Sequence, residues 1–244
     1  MIILAFDSTA KAASVAVCDG EKLLALYNID NGLTQSELLL PMAENILKNL
    51  KLTFDDVDLL ACSVGPGSFT GVRIGVSLVK GIAFGKGIPC VAVSTLDELA
   101  ENLLGLDGII VPCMDARRAQ VYTAIYRGKE GKLEKLSPDR AIAISELAEE
   151  LKAFAGEPIY LSGDGYEVAR RGLLAEGVEL KCTPELLITE NAYSVARIAK
   201  RKYDAGEFTS DLEIAPTYLR MPQAERERLE RLAKENGSKG DKEK

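Results

Sequence analysis

Apolar positions along the first hundred residues alternate between two periods. Residues 2–6 form a continuous apolar run, as expected of a buried strand. Residues 13–18 and 22–29 read as a second and third strand, joined by a turn at Asp19-Gly20. A polar loop covers 30–34. Over 36–50, Leu39, Met42, Ala43, Ile46, Leu47 and Leu50 recur at helical spacing, with Ser36 placed to cap the helix. A strand over 57–64 runs into the glycine-rich loop Gly65-Pro66-Gly67-Ser68-Phe69-Thr70-Gly71. The spacing then predicts a helix over 73–84 ended by Gly85-Lys86-Gly87, a strand over 91–93 and a helix over 96–104. This alternation indicates an α/β fold.

A second copy of the opening begins at Ile109. Ile2-Ile3-Leu4-Ala5-Phe6-Asp7 and Ile109-Ile110-Val111-Pro112-Cys113-Met114-Asp115 both end on an aspartate and a short polar loop. Each is followed by a strand (14–18; 121–126) and a turn at glycine (Gly20; 128–131). Two domains built this way are similar in plan to actin, Hsp70 and the sugar kinases, a likeness of fold alone. A helix over 144–154, a strand over 159–161, a turn at Gly163-Asp164-Gly165, a helix over 192–203 and an extended 216–220 follow. After Pro222 a charged surface helix is expected, with 236–244 disordered.

Composition removes whole classes of chemistry. The 244 residues include no histidine. Ser-His-Asp and Cys-His nucleophilic sites and His-ligated metal sites are therefore excluded. The net charge of −7 disfavours stand-alone tRNA or DNA binding but leaves room for a local basic patch. The cysteines Cys18, Cys62, Cys90, Cys113 and Cys182 form no Cys-x-x-Cys pair and are expected to be reduced thiols of a cytoplasmic protein. The opening residues lack a basic leader pattern, and no apolar stretch has membrane-spanning length.

The candidate chemistry sits at two strand ends and the glycine-rich loop. Backbone N–H groups around Gly65, Gly67, Ser68, Thr70 and Gly71 could cradle an anion, with Arg73 adding charge. The same glycines would equally serve close packing. The loop is not a Walker A sequence, because Val72-Arg73 follows Gly71. Asp7, Ser8 and Thr9 could meet a phosphate or a metal-bound water, although Ala10-Lys11-Ala12 replaces the glycine a close backbone approach needs. Asp115, Arg117 and Arg118 offer matching groups in the second half, for phosphate binding or an interdomain ion pair. The helices over 36–50 and 73–84 are apolar beyond one stripe, which means deep burial or a partner.

These stretches resemble the TsaB (YeaZ) family of tRNA N6-threonylcarbamoyladenosine (t6A) biosynthesis. The matching strings are residues 3–17, Ser36-Glu37-Leu38-Leu39-Leu40-Pro41 and the run from Gly65 through Val72-Arg73-Ile74-Gly75. Asp115-Ala116-Arg117-Arg118, Val121-Tyr122, Gly163-Asp164-Gly165 and Pro216-Thr217-Tyr218-Leu219-Arg220 complete the set. One departure is Gln35, where many members have histidine. The resemblance implies an actin-like (ASKHA) fold of two RNase H-like domains, over 1–105 and 106–222, with a charged tail over 223–244. It implies a non-catalytic scaffold or activator of TsaD, the transferase that modifies adenine 37 of tRNA, acting with the ATPase TsaE. No cofactor, metal or membrane partner is implied. The protein alone is expected to pair with itself, and tRNA to be met through the complex. In TsaD a His-x-x-x-His pair holds a metal; Thr95 and Leu99 take those positions here, as a helix cap and a core residue. The interface implied by the two helices comprises Leu38, Leu39, Met42, Ala43, Ile46, Val72, Val76, Val79 and Lys80. An independent nucleotide-binding enzyme of the actin/sugar-kinase type and a homodimeric adaptor are the alternatives.

Overall fold

A computed structural model describes residues 1–220; both expectations for the tail lie outside them. The first half supplies β1 (Ile2–Asp7), β2 (Ala13–Asp19), β3 (Lys22–Ile29), α1 (Gln35–Asn49), β4 (Leu59–Ser63), α2 (Phe69–Ala83), β5 (Cys90–Val93) and α3 (Thr95–Glu101). Its sheet runs β3-β2-β1-β4-β5, with β1 antiparallel to β2 and parallel to β4. Being central, β1 is covered on both faces. Leu4 and Phe6 meet α1 and α2, while Ile3 and Ala5 face the other side. A strand buried on both faces has no polar alternation, which is why residues 2–6 read as one apolar run.

The second half supplies β6 (Gly108–Asp115), β7 (Gln120–Thr123), β8 (Tyr126–Lys129), β9 (Lys132–Lys135), β10 (Arg140–Ala143), α4 (Ile144–Leu151), β11 (Ile159–Ser162), α5 (Tyr166–Ala175) and α6 (Ala192–Asp204). β7 and β8 form one interrupted strand beside β6: Asp115 lies opposite Val121, and Gly108 opposite Gly128. The interruption has a local cause. The N–H groups of Leu136 and Ser137 both reach the Ile125 carbonyl, and the Ser137 hydroxyl accepts from Ile125 N–H. This irregularity separates β9 from β10. Taken together, β9/β10, β7/β8, β6 and β11 repeat the order β3-β2-β1-β4. Both halves thus have the RNase H-like arrangement, in which the two aspartates end equivalent strands.

The last helix crosses back. α6 lies late in the chain, yet Ala192, Val195, Ala196 and Ala199 pack on Ala5, Ala16 and Ala61 of the first sheet. Small residues on both sides let helix and sheet approach closely. At its start, Asn191 accepts from Tyr193 N–H and caps it.

Two expected caps are corrected. α1 is capped by Thr34, not Ser36: Glu37 accepts from the Thr34 N–H at 2.9 Å. α3 is capped by Ser94, whose Oγ accepts from Leu96 N–H, so Thr95 is the first helical residue. Leu99 is fully buried, as expected of a core residue.

Candidate functional site

The end of β1 and the glycine-rich loop lie against each other. Ser68 N–H donates to the Thr9 carbonyl at 2.7 Å, and the Ser8 hydroxyl donates to the Gly71 carbonyl at 2.8 Å. Thr9 donates to Asp7 through both its N–H and its hydroxyl. A Cβ on Gly67 would sit 2.4 Å from the Thr9 carbonyl oxygen, and one on Gly71 only 2.0 Å from that of Ser8. Asp7, Ser8 and Thr9 are consequently buried, with their polar groups engaged inside the protein. Of the two roles open to Gly67 and Gly71, close packing is the one realised; Gly65 likewise meets the Thr217 carbonyl.

Beneath this contact lie three buried carboxylates. Asp7 comes from β1, Glu98 from α3 and Glu190 from the segment before α6. Glu98 accepts from Asn191 N–H at 2.7 Å and from the Ser63 hydroxyl. Burial raises all three pKa values. For Glu98 and Glu190, burial is followed by the charge of Asp7. Asp7 is held back in part by the Thr9 donors, whereas Glu190 is pushed up to about 8. One Glu190 carboxyl oxygen is buried without a hydrogen-bond partner, as is the Thr95 hydroxyl. Among the described residues no group of three or more His, Cys, Asp or Glu is arranged to hold a metal ion.

Between the halves a cleft of about 560 Å³ opens toward solvent. Lys11, Gln35, Phe69 and Tyr218 line one side, and Asp115, Arg117, Tyr122 and Asp164 the other. Gln35 is structural: its amide donates to the Ala10 carbonyl at 2.7 Å and ties α1 to the β1–β2 loop. Asp115 pairs with Arg117 at 3.0 Å. Arg117, Arg118 and Ala119 have φ of 64°, 54° and 55°, three consecutive non-glycine residues in the left-handed region. Arg73 stacks over Phe69, 3.8 Å from the ring centre, and donates to the Tyr218 hydroxyl at 2.8 Å. The structure therefore divides the expected phosphate groups. Asp7, Ser8 and Thr9 are sealed in, while Arg73, Arg117 and Arg118 stand exposed.

The helical surface also differs from expectation. Leu38, Leu39, Met42, Ala43, Ile46, Val72, Val76 and Val79 are buried in the first half's core, so they have almost no surface to offer; Lys80 is partly exposed. These residues form the helical stripe facing the sheet, which sequence periodicity detects first. The outward face carries a second apolar set. Leu40, Phe69, Ile74 and Leu78 line a groove of about 520 Å³ between α1 and α2, with the buried Leu39 at its floor. Leu40, Phe69 and Phe84 are well exposed. Gly81, in the last turn of α2, has open space where its Cβ would be. The available signal was phase, because Leu40, Ile74 and Leu78 fall off the core stripe. Glu98 and Glu190 carried no signal, since helical and loop glutamates ordinarily lie at the surface.

Two RNase H-like sheets facing across a cleft, with the closing helix returned to the first, define an actin-like two-lobed protein. YeaZ from Pseudomonas aeruginosa shares this fold at a TM-score of 0.74 and 24% identity, covering 89% of this chain and 99% of that one. The family model "TsaD: tRNA N6-adenosine threonylcarbamoyltransferase" matches residues 34–226. The tRNA threonylcarbamoyladenosine biosynthesis protein TsaB of Bacillus subtilis (strain 168) is 36% identical over 67% of this chain and 72% of its own length. TsaB of Escherichia coli (strain K12) is 30% identical over 90% of this chain and 95% of its own. The chain belongs to the TsaB family.

Proposed function

We propose that this chain is a non-catalytic docking subunit of tRNA threonylcarbamoyladenosine synthesis. It binds the transferase TsaD through the α1–α2 groove, stabilises the active form of that partner, and works alongside the ATPase TsaE. The observation that carries this reading is the outward apolar face of α1 and α2, which no other part of the described chain covers. Gly81 adds to it. A glycine within a helix costs about 1 kcal/mol relative to alanine, and nothing inside the protein uses the space it leaves. Such a gap suits the close approach of a partner's helix. The sealed Asp7-Ser8-Thr9 loop supports a role outside catalysis, because its donors and acceptors are already engaged. Thr95 and Leu99, at the positions of the metal-binding pair in TsaD, provide no imidazole.

The test uses the exposed Leu40 and the half-buried Leu78, because a charge at Leu39 or Val79 would enter the core. Leu40→Asp and Leu78→Asp should each abolish co-purification with TsaD from the same organism, with thermal unfolding nearly unchanged in Leu40→Asp and lowered but still cooperative in Leu78→Asp, which touches the core edge. Full retention of TsaD by both folded variants would overturn the reading. The same groove would join two copies when TsaD is absent, so these substitutions should also turn any dimer of the free protein into monomer.

A further inference from the structure

The rim of the cleft holds Arg117, Arg118, Lys11 and Tyr218, which line no part of the docking groove, while Phe69 and Arg73 border both. Arg117 and Arg118 occupy the tight loop between β6 and β7, where Ala116 N–H meets the Gln120 carbonyl and Gln120 N–H meets that of Arg117. Both have positive φ, as does Ala119. A non-glycine residue in this region costs on the order of 1 kcal/mol, and glycine would avoid that cost. The loop nevertheless carries two arginines there. Arg117 is 86% exposed in its side chain despite its contact with Asp115. Arg118 is exposed and enters no ion pair among the described residues. On the facing rim, Lys11 and Arg73 are likewise exposed and outside the ion pairs of the described chain. Two aromatic faces accompany them. Tyr218 and Phe69 are 41% and 36% exposed, with ring centres 5.1 Å apart. Of the two carboxylates nearby, Asp115 is paired with Arg117, and the exposed Asp164 accepts from the Asp115 N–H at 2.9 Å.

The geometry points to this rim as a contact site for single-stranded RNA. Phosphates would meet Arg117, Arg118, Lys11 and Arg73, and a base would stack at Tyr218, since Arg73 already lies 3.8 Å over the Phe69 ring. Cations alternating with exposed rings fit a phosphodiester strand better than an acidic peptide, which has no base to stack. The net charge of −7 makes the contact weak in the isolated protein, an addition to whatever a partner contributes. The assignment rests on the proposed role in tRNA modification for the identity of the strand, and on the rim alone for its chemistry.

The test is fluorescence anisotropy of a short labelled single-stranded RNA titrated with the full-length chain at low salt. Wild type should bind, with affinity falling as salt rises. The double variant Arg117→Glu/Arg118→Glu should weaken binding by on the order of tenfold and reduce the salt slope by about 1.4, roughly 0.7 for each lost phosphate contact. Arg118→Gly separates site from scaffold: it relieves the positive φ, so Tm should stay level or rise while RNA binding weakens. Leu78→Asp, which breaks docking, should leave RNA binding by the isolated chain unchanged, so failure of the docking reading and of this one are distinguishable. Absence of binding by wild type, or equal affinity in the double variant, would overturn the proposal. Complete displacement of the RNA by equimolar ATP or tripolyphosphate would also overturn it, by assigning the rim to a free phosphate ligand.

Discussion

Asp7, Glu98 and Glu190 share the interior where the two halves meet, burial raises all three, and the charges acting on Glu98 and Glu190 are those of other carboxylates. Each therefore holds its proton more tightly folded than unfolded. For a carboxyl of raised pKa, the stabilisation is complete below its ordinary value and is lost as pH rises through the folded value. With Glu190 pushed up to about 8, stability should fall between about pH 5 and pH 8. The slope can reach about 1.4 kcal/mol per pH unit for each proton retained. Tm measured across this range should decline in wild type and decline less in Glu190→Gln, which keeps the neutral shape. A wild-type Tm that rises with pH there would contradict the burial account. None of this was legible beforehand. Composition shows that histidine chemistry is absent, but it cannot show which glutamates the fold will enclose.

At the scale of elements, the glycines of α2 have opposite duties at its two ends. Gly71 lies against Ser8, and a methyl group there would sit 2.0 Å from a backbone oxygen. Gly71→Ala should lower stability by about 1–3 kcal/mol, as overpacking does, read as a fall in the denaturation midpoint. Gly81 meets nothing. Gly81→Ala should raise stability by about 1 kcal/mol and yet weaken association with TsaD, a pair of opposite effects that a purely internal role for Gly81 would not produce. The long elements were readable because they repeat one period over many residues. The helix over 166–175 was missed: only Ala169 and Leu173 of it are buried, and two positions make no stripe. β10 was missed for a related reason, since it spans four residues with mostly half-buried side chains, whereas β9 follows the glycine turn where the chain was expected to resume its hairpin. The two helices were found on their buried stripe, so the residues first assigned to an interface are ones the core encloses.

Across the whole molecule, polar ties join the halves. Lys135 of the second half reaches Asp97 of α3 at 2.7 Å and Asp139 at 2.5 Å, and the buried Tyr126 hydroxyl donates to the same Asp97. Ser94, the cap of α3, donates to Asp139. Burial and the neighbouring Asp97 raise the Tyr126 phenol, and the two aspartates raise Lys135 against its burial. Lys135→Met would leave Asp97 and Asp139 facing each other without a cation. Because Lys135 is 36% exposed, the cost should be about 1 kcal/mol, seen as a lower Tm that added salt narrows. The repeated opening of the halves was legible from the two aspartate-ended strands; their sheet order was not. The return of α6 to the first sheet was not, because an alanine-rich face gives no indication of which sheet it will cover.

Docking of a catalytic partner through the outer face of α1 and α2 is the mode of action proposed for this fold. Size-exclusion chromatography with light scattering, on this protein mixed with TsaD from its own organism, tests it most directly. The account predicts a single species with the summed mass of one copy of each, lost when Leu78 is replaced by Asp. Separate elution of the two wild-type proteins, or an intact complex with the folded Leu78→Asp variant, would contradict it.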